Sequence, residues 1–181
     1  MDITYNDDKL CGFSNERERA VGIKYTVVED LVEEPVDLAF FKAHARLDFD
    51  FDDSLCTSYI KAARQHLERY SQLSFGEKTI RLTAIRLPRN FELMYGNVKE
   101  AAGYETLGNI LLNGQGRNKT IDFTTEWNPL PEDVKIAICR YAAGLYMNRE
   151  DIITDEEGRS QREVRNEAEK MLRPYMIKSL I

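Results

Sequence analysis

Four acids stand within six residues in "DFDFDD": Asp48, Asp50, Asp52 and Asp53. Carboxylates at that density could hold a divalent cation, and their spacing decides whether they do. A calcium loop takes oxygen ligands at alternate positions, a glycine at the sixth and a glutamate at the twelfth. Counted from Asp48, the sixth position is Asp53 and the twelfth is Tyr59, so both diagnostic places fail. The same acids directly precede a helical period of Leu55, Tyr59, Ala62, Ala63, Leu67 and Tyr70. Acids at a helix start are stabilised by the macrodipole and can cap it. The sequence therefore predicts a capping turn between two helices, not a metal site.

The other reactive residue types carry no stronger chemistry. His44 and His66 are the only histidines, and neither has a Ser or Cys at a catalytic spacing. Cys11, Cys56 and Cys139 are odd in number and lack CxxC spacing, which reads as reduced thiols. Cys56 and Cys139 fall on helix faces and are expected to be small apolar fillers. The stretch "NGQGRN" has two glycines but lacks the Lys-Ser/Thr pair and the strand-to-helix setting of a phosphate loop. It is expected to be a hairpin tip, made by Asn113, Gly114, Gln115, Gly116 and Arg117. No catalytic residue, metal site or cofactor is predicted, and the chain is not expected to be an enzyme.

The elements that must position these residues come from periodicity. Residues 1–22 are polar with no sustained period and read as an N-terminal arm. "IKYTVVEDLV" suits a short strand or extended lead-in. Asp37 suits a helix N-cap. Four helices are expected, at about 37–47, 53–71, 131–148 and 160–173. The first should be mostly buried, on Phe40, Ala43 and Leu47 as well as Leu38, Phe41 and Ala45. The third opens with Pro131, Glu132 and Asp133, all suited to a first turn. It is apolar nearly all round, as a central helix is. Between the second and third, about 78–126, alternating runs predict strands: Ile80, Leu82 and Ala84 on one face, then a parity flip to Ile85 and Leu87 that suggests a bulge or bend. "NGQGRN" should close a hairpin between Ile110–Leu112 and Thr120–Phe123. The expected class is α+β, mainly α: a small helical bundle with a β-rich insertion between the second and third long helices. A connecting domain at 23–174 would follow the arm, and an apolar tail at 175–181 would end the chain.

Composition bounds the function. The chain has 181 residues, 43% hydrophobic and 31% charged, a balance that can bury a real core. Its net charge of -6 argues against sequence-independent DNA binding, which needs Lys and Arg to displace counterions. No apolar run approaches the ~20 residues of a membrane helix, and the start lacks the pattern of a signal peptide. A soluble product of the cytosol is expected, without a membrane partner.

In order, "EPVDLAFFKAHARLD", an acidic turn, "YIKAARQHLERYSQLSF", a strand region, a tryptophan, "PEDVKIAICRYAAGLYMNRE" and "LRPY" resemble the head–tail connector (adaptor) proteins of tailed bacteriophages, over roughly residues 25–176. The chain departs from that pattern in its N-terminal arm, at Ala45 and in a tail running past "LRPY" to Ile181. The resemblance implies a structural virion protein of the neck, made in the host cytoplasm. It implies a ring, a dodecamer, under the portal of a filled capsid, joining portal to tail or to a second neck protein. Genomic DNA would pass through its channel without specific binding. Asp48, Asp50, Asp52, Asp53, Asp155, Glu156 and Glu157 are candidates for an acidic channel or rim, against the plainer reading of solvated loops. The tail residues Tyr175, Met176, Ile177, Leu180 and Ile181 are candidates for portal or neighbour contact, against packing on their own bundle. The hairpin tip is a third candidate contact. The competing function is a small helical nucleic-acid-binding packaging or regulatory factor, whose cue would be the basic face Lys61, Arg64 and Arg69 on the second helix.

Overall fold

In the computed structural model, which describes residues 3–4, 20–147 and 155–176 (backbone only in 3–4 and 155–163), the Asp37 carboxylate accepts the Phe40 N–H at 2.6 Å. That cap opens α1, Leu38–Ala45, and satisfies one of the exposed donors of its first turn. Arg46, in the left-handed conformation, ends the helix by donating its N–H to the Ala43 carbonyl. The remaining helices are α2 (Asp53–Ser71), α3 (Glu132–Met147) and α4 (Asp155–Leu172). Among the described residues eight strands accompany them: β1 (Ile3–Thr4), β2 (Lys24–Glu29), β3 (Lys78–Leu87), β4 (Phe91–Glu92), β5 (Val98–Ala101), β6 (Thr106–Leu107), β7 (Ile110–Leu111) and β8 (Gly116–Thr125).

The expected mainly helical bundle with a β insertion is corrected by two antiparallel sheets. One has the order β1-β2-β3-β8-β5 and the other β4-β7-β6. β1 and β2 precede α1, so the sheet does not arise from an insertion alone. The physical reason lies in β3 and β8. These ten-residue strands pair along their length, Lys78 with Thr125 through Leu87 with Gly116, and turn an apolar row to one side. That row needs a cover of its own. Tyr25, Ile80, Leu82, Ala84, Ile121 and Phe123 share one buried cluster with Leu93 and Leu111 of the smaller sheet's segments. The Tyr25 ring meets Phe123 and Tyr95 edge-on, and its hydroxyl accepts the Met94 N–H at 3.2 Å. The parity flip in β3 is not the expected bulge: the register holds through it, Ala84 with Lys119 and Arg86 with Arg117, while Ile85 is exposed and Leu87 buried. The Ile85 and Arg86 N–H groups both donate to the Val21 carbonyl there, at 3.0 and 3.2 Å.

Two compact units result, one from the segment through Leu31 and Gly76–Asn128, the other from Val32–Phe75 and Pro129–Met176. In the helical unit α3 is buried along Val134, Ala137, Ile138, Cys139, Ala142 and Tyr146, which makes it the central helix. It packs on α2, α4 and α1. α1 is less buried than expected: Phe41 is fully buried, whereas Phe40 and Ala43 are exposed. No helix among the described residues is long and apolar enough to cross a membrane.

Candidate functional site

The acidic turn is divided between two partners. Lys42, on the last turn of α1, donates to Asp50 at 2.5 Å and to Asp53 at 2.9 Å. Those hydrogen bonds, Asp50's first, push the lysine's pKa up to about 12. Asp52 stands at the N-cap of α2 but makes no side-chain cap bond. It accepts instead from the Tyr146 hydroxyl, 94 residues away, at 2.8 Å. The acids are thus ties between helices as well as a helix start. Asp48 is exposed. Phe49 and Phe51 lie between the acids and stack on each other, centroids 4.3 Å apart at 13°. Phe51 is 80% exposed, so the turn presents an aromatic pair to solvent. Asp155, Glu156 and Glu157 lie in the first turn of α4, with side chains outside the described residues.

The basic face foreseen on α2 is not a face. Arg64 is fully buried. Its Nε and Nη2 donate to Glu34 at 2.6 and 3.0 Å, and its Nη1 donates to Glu68 at 2.9 Å. Glu68, also buried, accepts the Phe75 N–H at 2.9 Å. Only Lys61 and Arg69 remain exposed, which removes the cue for a nucleic-acid-binding helix. A signal was present in the sequence. Arg64 stands four residues after Ile60, three before Leu67 and four before Glu68, the place of an i,i+4 pair on an inward stripe. Of the two histidines, His66 sits 3.2 Å from Glu169 and tilts against the Tyr141 ring, while His44 is exposed.

"NGQGRN" does not close a hairpin between β7 and β8. β7 pairs with β4 and β6, whereas β8 pairs with β3 and β5, so Asn113–Gln115 connect strands of different sheets. Gly116 and Arg117 are already in β8, opposite Leu87 and Arg86. Local turn chemistry marked a connection but could not say which strand would lie alongside. The connection is held firmly. The Gly114 N–H donates to the Arg89 carbonyl at 2.8 Å, and Arg89 Nε donates to Asn113 Oδ1 at 3.2 Å. Asn113 and Asn118 take left-handed backbone, which Asn tolerates better than most residues. The outcome is an arginine-rich end of the β unit: Arg86 and Arg117 in register, and Arg89 beside them on the next turn.

At the other end of the chain, the Tyr175 hydroxyl donates to both Asp133 oxygens, at 2.9 and 2.8 Å, and that bond raises the tyrosine's pKa. The Met176 N–H donates to the Leu172 carbonyl at 3.2 Å. Ile177, Leu180 and Ile181 lie outside the described residues.

Residues 35–176 match the family model described as phage gp6-like head-tail connector protein. A comparison with curated proteins finds no match. Among solved structures, the chain is similar to one from the neck of an empty gene transfer agent particle computed with C6 symmetry. That likeness has a TM-score of 0.60 and 20% identity, over 72% of this chain and 87% of that one. A chain of the native gene transfer agent virion gives 0.59 and 20%, over 72% and 87%. One from the native neck computed with C12 symmetry gives 0.57 and 19%, over 72% and 86%. At such identities the likeness is one of fold.

Proposed function

Because the chain belongs to the phage gp6-like head-tail connector family, we propose that its copies close into a ring at the virion neck. This ring joins the portal to the tail or to a second neck protein and leaves a channel for genomic DNA. The family match over 35–176 carries the reading. The neck structures of the same fold were computed with C6 and C12 symmetry, and the proposed ring has twelve copies by analogy with the latter. A ring requires two different patches that meet head to tail, with a rotation that closes. A net charge of -6 suits a channel that passes DNA without gripping it. The role is structural, with no catalytic step and no cofactor.

Three surfaces are assigned within that role. The acidic turn Asp48–Asp53 and the start of α4 lie at the rim of the channel, where the turn is also within reach of a neighbouring copy. The Asn113–Arg117 connection contacts the portal or a neighbouring copy. The tail after Tyr175, whose hydroxyl holds Asp133 of its own α3, runs from Met176 through Ile177, Leu180 and Ile181 into a groove or strand edge of the portal or a neighbour. A terminus with that many apolar side chains frays unless something holds it. The test mixes the protein with purified portal and reads masses by single-particle photometry. A multi-subunit complex is expected with wild type, while a chain ending at Met176 should keep its unfolding midpoint and lose the complex. Free monomer alone for wild type, under all conditions, would sink the connector role. A destabilised truncation that still docks would sink the tail's role only.

A further inference from the structure

The acidic aromatic turn and the arginine end of the β unit are complementary, and each is unusual on its own. Arg117 directly opposes Arg86 across the β3–β8 ladder. Arg117 and Arg89 are exposed, and among the described residues neither pairs with an acid. The β unit over 20–31 and 76–128 has eight acids and eight basic residues, so this end is a local concentration of charge in a neutral body. The helical unit over 32–75 and 129–176 has 18 acids and 13 basic residues. Its Asp48–Phe51 turn is fixed on one side by Lys42 holding Asp50 and on the other by Tyr146 holding Asp52. Between those ties stand the stacked, exposed Phe49 and Phe51.

We infer that the Asp48–Phe51 turn of one copy docks on the Arg86, Arg89 and Arg117 end of a second copy. Guanidinium groups both pair with carboxylates and lie flat on aromatic faces, so they suit alternating Asp and Phe as an ammonium would not. Both partners are held in place before they meet, which reduces the ordering cost of association. The contact joins two different patches on two different units, so it is heterologous and propagates from copy to copy. DNA is the poorer occupant of the arginines. About three phosphate contacts give a slope near -2.7 in log K against log salt and little affinity, and a phosphate backbone gives the phenylalanine stack no role. The inference rests on the ring proposed above.

A charge swap tests it on the full chain. One variant carries Arg89→Glu with Arg117→Glu, another Asp48→Lys with Asp50→Lys, where Lys42 keeps Asp53 as a partner. A third, Phe51→Ala, leaves every charge in place. With melting unchanged, each should need at least tenfold more protein than wild type to reach the same portal-templated complex. An equimolar mixture of the two reversed proteins should assemble like wild type, because each reversed end then meets a reversed turn. The contact is refuted if the reversals assemble normally alone, or if the mixture stays as poor as its components. It is also refuted if the arginine reversal spares assembly and abolishes a low-salt DNA shift. Failure of wild type itself to assemble would instead overturn the ring.

Discussion

Replacing Arg64 by Met should destabilise the helical unit severely, because it removes the charge and leaves the packing. The arginine side chain is 0% exposed, Glu68 4% and Glu34 20%. Methionine reproduces most of the apolar stem, so little cavity forms. What is lost is the guanidinium between two carboxylates, one of them with almost no access to water. Removing one partner of a buried pair costs about 3–5 kcal/mol, because an uncompensated charge stays behind. Glu34 lowers that cost somewhat, since it can turn to solvent. For a chain of this length a loss of that size corresponds to about 6–20 °C in Tm, at roughly 2–4 °C per kcal/mol. Urea unfolding followed by far-UV circular dichroism, which reads the helices, gives the number. A second variant separates charge from shape. Arg64→Met with Glu68→Gln keeps an oxygen for the Phe75 N–H and drops the stranded charge, so it should recover at least half of the loss. A shift for Arg64→Met below about 1 kcal/mol, the worth of an exposed pair, would refute the argument. So would a double variant no better than the single one.

Two further outcomes follow from the same physics. Arg81 donates to Asp122 through Nε and Nη2, at 2.7 and 2.8 Å, and holds its carboxyl below the ordinary value. A carboxylate depressed by folding adds stability above its unfolded pKa and loses it as pH falls through the folded one. The small Tm difference between wild type and Arg81→Gln should therefore be present at neutral pH and vanish below the carboxylate range; a difference that grows on acidification would contradict the pairing. Burial, and secondarily the charge of Asp37, push the Cys139 thiol up to about 11, and Cys56 is equally buried. Neither should react with a maleimide at neutral pH until urea unfolds the chain, as peptide mapping by mass spectrometry would record. Native labelling at the rate of a free thiol would contradict their burial.

Several features were legible from the sequence because their causes are local. Asp37 caps α1 through a bond that spans three residues. The alternation of Ile80, Leu82 and Ala84 sets one face of β3. Such features follow from side-chain reach and from the periods of strand and helix, which neighbours in sequence carry. The order of helix signatures, met together at this spacing, also identified the connector family.

Tertiary structure decided whatever depended on a distant segment. Arg64 and Glu68 look like a surface pair in one dimension. They are interior because Glu34, thirty residues away, completes the guanidinium's hydrogen bonds. Phe40 has the spacing of a core residue and stands exposed, because neighbouring helices cover only one side of α1. Asp52 was read as a cap, and Tyr146 on α3 made it a tie. The weight given to helix was wrong for the same reason. A turn such as "NGQGRN" announces a reversal, but which strand pairs with which is settled when two apolar faces find a common cover. The faces of β3 and β8 found theirs in a second sheet of two-residue strands, where Ile110–Leu111 is the strand foreseen but pairs with β4 and β6 instead of β8.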